Sequence, residues 1–208
     1  MKLKFTKGNA KLDKSIYILS LPAGFSCKGA LKCLSTANRK TGKIKDGKHT
    51  EFRCYAASQE AMYPSVRESR WKNFDLLKKA KTKKDIEKLI LESLPKDAKI
   101  VRLHSSGDFY SQDYFDAWLS VAKQKPDVIF YAYTKSLNYW EKMINEIPSN
   151  FKLTASEGGK NDNLITKLGL KFATVVFSED EAKKLKLEID HTDKLAYSTS
   201  KPFALLLH

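Results

Sequence analysis

The stretch "AKIVRLHSSGDFYSQDYFDAWLSVAK" (Ala98–Lys123) decides the architecture. Lys99 to His104 reads as a strand, and Ser111 sits where a serine N-cap opens a helix. The same grammar then recurs. "VIFYAYT" begins a strand at Val128 and "SLNYWEKMINEI" follows as a helix. "FKLTAS" begins at Phe151, with a helical stretch over Asp162–Leu168. "FATVVFS" begins at Phe172 and leads into "EDEAKKLKL", and "KLAYSTS" reads as a last strand from Lys194. These strand starts lie 21 to 29 residues apart, the length of one βα unit. Most of the strands are continuous apolar runs, as expected when both faces are buried.

Upstream, "SIYILSLPAG" gives a strand from Ile16 to Leu21 closed by a Pro and a Gly. Residues 55–80 turn helical, with Pro64 predicting a break near Tyr63. "KTKKDIEKLILESL" places Ile86, Leu89, Ile90 and Leu94 on one helical face. Six strands in βα order make an α/β fold with a parallel sheet. A complete eight-fold barrel takes about 250 residues, more than the 208 present. The expectation is a partial (β/α)6 barrel, with an open sheet as the alternative. The chain reads as one domain, residues 1–208, carrying a cysteine-rich loop over residues 22–54 after the first strand.

In such folds ligands gather at the C-terminal ends of the strands. There the sequence has His104, Ser105, Ser106, Gly107 and Asp108, then Thr134 and Lys135, then Ser156, Glu157 and two glycines. Capped βα turns use the same residue types. At the same rim the first strand delivers Cys27, Cys33 and Cys54, the only cysteines of the chain. An odd count argues against a disulfide framework. Soft thiolates point to zinc or iron–sulfur chemistry. Zinc would take a fourth ligand, for which His49 is available, whereas a cubane held by three thiolates leaves one iron open. Spacing alone leaves both readings standing.

The net charge is +14, and residues 1–54 carry 13 Lys/Arg against 3 Asp/Glu. A field of that sign attracts polyanions or offsets an anionic cofactor. Non-specific nucleic-acid binding is therefore an expectation, but no zinc-finger or helix-turn-helix signature supports specific reading. Trp71, Trp118 and Trp140 fall on helical apolar faces and read as core. No run is long and apolar enough for a membrane span, and the start lacks the apolar stretch of a signal peptide. A cytoplasmic, monomeric protein is expected.

"GNAKLDKSIYILSLPAGFSCKGALKC", "FRCYAASQEAMYPSVRESRWKNFDLL", "VRLHSSGDFYSQDYFDAWLSVA" and "FYAYTKSLNYW" resemble the bacteriophage family known as gene product eighty-eight, over nearly the whole chain and including "FALLLH" at its end. That resemblance implies a phage protein in the host cytoplasm, and relatives that continue beyond His208. A more distant likeness is to the radical S-adenosylmethionine superfamily. It rests on Cys54-Tyr55-Ala56, on Ser105 to Asp108 and on Thr134-Lys135. It implies that Cys27, Cys33 and Cys54 hold a [4Fe-4S] cluster and that Ser106, Gly107 and Asp108 stand where the superfamily's Gly-Gly-Glu binds the methionine amino group of S-adenosylmethionine. Lys135 would meet the carboxylate, with Thr134, Ser156 and Glu157 completing the rim. An electron donor such as a ferredoxin or flavodoxin is the implied partner. The sequence departs from that pattern in three places. Five and twenty residues separate the cysteines, Asp108 is shorter than Glu, and "FATVVFS" lacks the glycine-rich adenine pattern. Radical enzyme and non-catalytic electron-transfer or sensing protein are both carried forward, with a basic nucleic-acid-binding module holding structural zinc as a third reading.

Overall fold

A computed structural model of the chain describes residues 1–9 and 11–207; His208, the last residue of the "FALLLH" stretch, lies outside them. The elements run β1 (Thr6–Lys7), β2 (Ile16–Leu19), β3 (Ser35–Ala37), β4 (Ile44–Asp46), α1 (Tyr55–Met62), α2 (Pro64–Lys79), α3 (Lys83–Ser93) and β5 (Ile100–Leu103). They continue α4 (Gln112–Gln124), β6 (Ile129–Thr134), α5 (Leu137–Lys142), β7 (Phe151–Ser156), α6 (Asn163–Leu168), β8 (Phe172–Val176), α7 (Glu179–Lys184), α8 (Lys194–Ser198) and β9 (Phe203–Leu206).

The central sheet has the order β1-β2-β5-β6-β7-β8-β9. Every pair is parallel except the antiparallel edge β1–β2. Six parallel strands thus lie side by side in chain order. Because right-handed crossovers are the rule, a sheet that always advances in one direction places its crossover helices on one face, with α8 as an exception. On that face Leu103, Phe130, Phe115 and Trp118 form the main core with α3 and α4. Edge strands β1 and β9 do not pair with each other, so the sheet is open.

Local signals explain most boundaries. Ser111 caps α4 by accepting from the Tyr114 N–H at 3.3 Å. Thr82 and Asp85 form a reciprocal capping box on α3. Pro64 occupies the first turn of α2, where its missing N–H costs nothing. Trp118 and Trp140 are buried as expected. Trp71 is only half-buried, against Phe25 of the cysteine loop and the Arg39 guanidinium.

The reading of "KLAYSTS" as the last strand is corrected. It forms α8 on the other face of the sheet, where Ala196 is fully buried and Tyr197 packs on Tyr131 at 5.1 Å. Edge pairing falls instead to "FALL", the longer apolar run after Pro202. Among the described residues no helix is long and apolar enough to cross a membrane.

Candidate metal centre

The β2–α1 segment, residues 20–54, is mostly irregular and carries a small β3–β4 hairpin. It folds back across the strand ends. Leu21 N–H donates to the Ser106 carbonyl at 2.8 Å, and Ser106 Oγ donates to the Leu21 carbonyl at 2.8 Å. Two glycines make the approach possible. Gly107 has φ 87, and a Cβ there would lie 2.5 Å from Ser26 Oγ. A Cβ on Gly29 would lie 2.1 Å from the Lys135 carbonyl oxygen. On the far side Leu31 and Lys32 N–H donate to the Gly158 carbonyl, and Lys160 N–H to that of Gly29. The loop carrying Cys27 and Cys33 is therefore pinned to the turns after β5, β6 and β7.

One buried acid organises the base of this loop. Glu60 of α1 is fully buried and its Oε1 accepts from Ala23 N–H (2.8 Å), Arg70 (3.0 Å) and Ser106 Oγ (3.2 Å). Arg70 of α2 also donates to the Ala56 carbonyl and to Gln59. Sequence periodicity gave no sign of this pair, since α2 buries Arg67, Arg70 and Asn73 beside Leu77.

Cys27, Cys33 and Cys54 are all free and partly exposed. Burial of the sulfur pushes the Cys27 thiol well above its ordinary value, helped by the negative charges of Asp108, Cys54 and Cys33. Gly24 N–H donates to Cys27 Sγ at 3.3 Å and works the other way. Cys33 is likewise raised, first by burial, then by Cys54 and Asp108, with Lys135 opposing. Cys27 and Cys33 thus both feel the charges of Cys54 and Asp108. Among the described residues no three His, Cys, Asp or Glu side chains converge closely enough to hold a single metal ion. His49 is exposed.

Beside Cys27 lies a cavity of about 130 Å³ lined by His104, Gly107, Asp108, Lys135 and Ser156. Asp108 is 4% exposed and accepts from Thr134 Oγ1 (2.7 Å), Phe109 N–H (2.7 Å) and Lys135 N–H (2.8 Å). Burial raises its carboxyl to about 6 against the pull of those hydrogen bonds. Lys135 Nζ donates to Ser156 Oγ at 2.8 Å and to the carbonyls of Ser156 and Glu157. His104 is 4% exposed with φ 66. Burial, then the Arg102 charge, lowers it to about 3, so it is neutral.

Residues 2–208 match the family described as Gene product 88. The chain belongs to the Gene product 88 family. It is 33% identical over 90 residues to the Gene 88 protein of Mycobacterium phage L5, a stretch covering 39% of this chain and 38% of that protein. It is 32% identical over 90 residues to the Gene 88 protein of Mycobacterium phage D29, with the same coverage. No solved structure matches.

In this Gene product 88 member the expected rim residues do come together. Asp108 touches Thr134 and the Lys135 backbone, Lys135 reaches Ser156 and Glu157, and Ser106 ties to the cysteine loop. They meet mainly through bonds to one another, which the sequence could not reveal. Ser26, Glu60 and Arg70 were not anticipated as parts of the site.

Proposed function

We propose that this protein is a phage iron–sulfur protein that holds a [4Fe-4S] cluster through Cys27, Cys33 and Cys54 and works in electron transfer or redox sensing. The observation that carries the reading is the gathering of three free thiols at the strand-end rim, close enough that Cys54 raises both Cys27 and Cys33. Cys54 opposes ionisation of both Cys27 and Cys33, and a cationic centre that joined the three would offset that cost. The Gly24 N–H aimed at Cys27 Sγ is the kind of bond that tunes a cluster thiolate. When bound, such a cluster supplies a one-electron redox centre. Lys135 and the basic segment offset its negative charge, and a ferredoxin- or flavodoxin-type protein is the partner class that would exchange the electron.

Structural zinc has less support. A tetrahedral site with Zn–S bonds of about 2.3 Å brings sulfurs within about 3.8 Å of each other, and no group of three metal-ligating side chains converges to hold one ion among the described residues.

S-adenosylmethionine binding is a second reading, favoured by the parallel strands in chain order, as a partial barrel of radical S-adenosylmethionine type would have. It asks more of the site. The cavity of about 130 Å³ is well under the roughly 300 Å³ at the small end of ligand pockets. Asp108, Thr134 and Lys135 are already engaged, and α8 covers part of the opposite sheet face.

Anaerobically purified protein should be brown, with a broad absorption band near about 400 nm that is lost on replacing any one cysteine with alanine. A colourless protein refutes the cluster. Addition of S-adenosylmethionine should leave the paramagnetic resonance spectrum of the reduced cluster unchanged; a new spectrum that Asp108→Ala abolishes would favour the second reading.

A further inference from the structure

We propose that the cavity between β1, the end of β2 and α2 is a binding site for a small phosphorylated polyhydroxy compound of the sugar-phosphate class. None of the three cysteines lines it, so the assignment holds with or without a cluster.

The cavity holds about 300 Å³, the small end of the range for ligand pockets. Its walls are polar. Ser20 follows β2, Ser105 follows β5, and Ser65 and Ser69 lie one turn apart on α2. Among the described residues no hydrogen bond engages these four hydroxyls, whereas Ser26, Ser93, Ser106 and Ser136 each donate to a backbone carbonyl. Arg70 is 6% exposed. Its terminal nitrogens serve the Ala56 carbonyl, Glu60 and Gln59, which leaves its Nε–H without a partner among the described residues. Lys4 lines the same space and, unlike Lys7 and Lys11, pairs with no acid there. Asn73 fixes the Lys4 backbone against α2, accepting from its N–H at 2.7 Å and donating to its carbonyl at 3.0 Å.

No carboxylate lines the cavity, and the chain carries a net +14, so an anion enters a positive field. The 16-residue helix α2 begins at this wall, with no acid in its first turn and no side-chain cap from Tyr63. The first amides of a helix have no intrahelical acceptor, and such ends bind phosphate. The buried Arg70 and the unpaired Lys4 line the same cavity and favour the same charge. The rest of the wall selects the remainder of the ligand. No aromatic ring lies in it on which a nucleobase could stack, while the four serines and Thr6 offer donors and acceptors to hydroxyl groups.

The test is calorimetric titration of the purified protein at low salt with ribose 5-phosphate, ribose and inorganic phosphate. Ribose 5-phosphate should bind at one site per chain with a dissociation constant under about 1 mM, inorganic phosphate more weakly, and ribose not at all. Ser69→Ala, which suits a helix interior, and Lys4→Met, which keeps the apolar stem, should each weaken binding about tenfold, the worth of one hydrogen bond to a charged group. Lys184→Met on α7, outside the lining, should leave binding unchanged. Failure of ribose 5-phosphate to bind overturns the site. So does binding that ribose matches, or that Lys184→Met weakens as much as Lys4→Met, because a general basic surface behaves in that way. A 5′-phosphorylated oligonucleotide that displaces ribose 5-phosphate at equal concentration would overturn the small-molecule assignment.

Discussion

Thr134 Oγ1 donates a 2.7 Å hydrogen bond to Asp108 Oδ1, tying the end of β6 to the turn after β5 inside the buried rim. That bond holds a carboxylate in place beside Cys27, where burial alone would favour its protonation. Thr134→Val keeps the shape and removes the donor. It should cost about 1.5–3 kcal/mol, the range for a hydrogen bond to a charged group. Urea unfolding at neutral pH measures it, and an unchanged midpoint would show that the bond contributes nothing.

Asp108 also sets a pH dependence in the metal-free protein. Its carboxyl is raised from 3.8 to about 6 on folding. Between those values the folded state holds a proton that the unfolded state has lost. Its contribution to stability is therefore greatest below about pH 4, declines as pH rises to about 6, and is level above, with a swing on the order of 3 kcal/mol. Asp108→Asn removes that swing. The difference between wild-type and variant unfolding free energies should change between pH 4 and pH 7, and parallel pH profiles would contradict the assignment.

Arg70 is the partner of a fully buried acid. Arg70→Met leaves Glu60 charged and unpaired, at a cost of about 3–5 kcal/mol. Because Glu60 also holds Ala23 N–H and Ser106 Oγ, iron loading should fall in the same variant. Denaturant unfolding and iron content together check this. A stable variant with full iron loading would show that the pair does not support the loop.

Gly29→Ala probes the loop more locally. The added methyl meets the Lys135 carbonyl at 2.1 Å, so the loop must lift from β6. We expect most cluster loading to be lost while the far-ultraviolet dichroism stays native. Full loading would mean that the close packing of the loop on β6 is not needed for the centre.

The basic N-terminal quarter is only partly free for nucleic acid. Lys7, Lys11, Lys32, Arg39 and Arg53 are each paired with an acid. Any binding should be weak, independent of sequence, and reduced by orders of magnitude between about 50 mM and 200 mM salt. A gel-shift titration at both concentrations decides it; tight binding at the higher salt would contradict the electrostatic account.

The parallel strands were legible because residues such as Val101, Phe130 and Leu153 occupy dense apolar runs punctuated by capping serines. The two-residue β1 and three-residue β3 and β4 were not, since such short pairings depend on what packs around them. Lys194 to Ser198 misled because five residues cannot display a helical period, and tertiary burial of Ala196 decided the outcome. The placement of the cysteines and of Asp108, Thr134 and Lys135 after the strand ends was readable in the sequence. The saturation of Asp108 by its own neighbours, the Glu60–Arg70 pair and the orphaned Nδ1 of His104 were not, because they arise from side-chain directions across elements distant in sequence.

The central claim is that Cys27, Cys33 and Cys54 hold one cluster. Quantifying iron and acid-labile sulfide in anaerobically prepared protein tests it most directly. The account predicts about four of each per chain, falling sharply when any of the three cysteines is replaced by serine. Protein that carries no iron, or a single zinc, under the same conditions would contradict it.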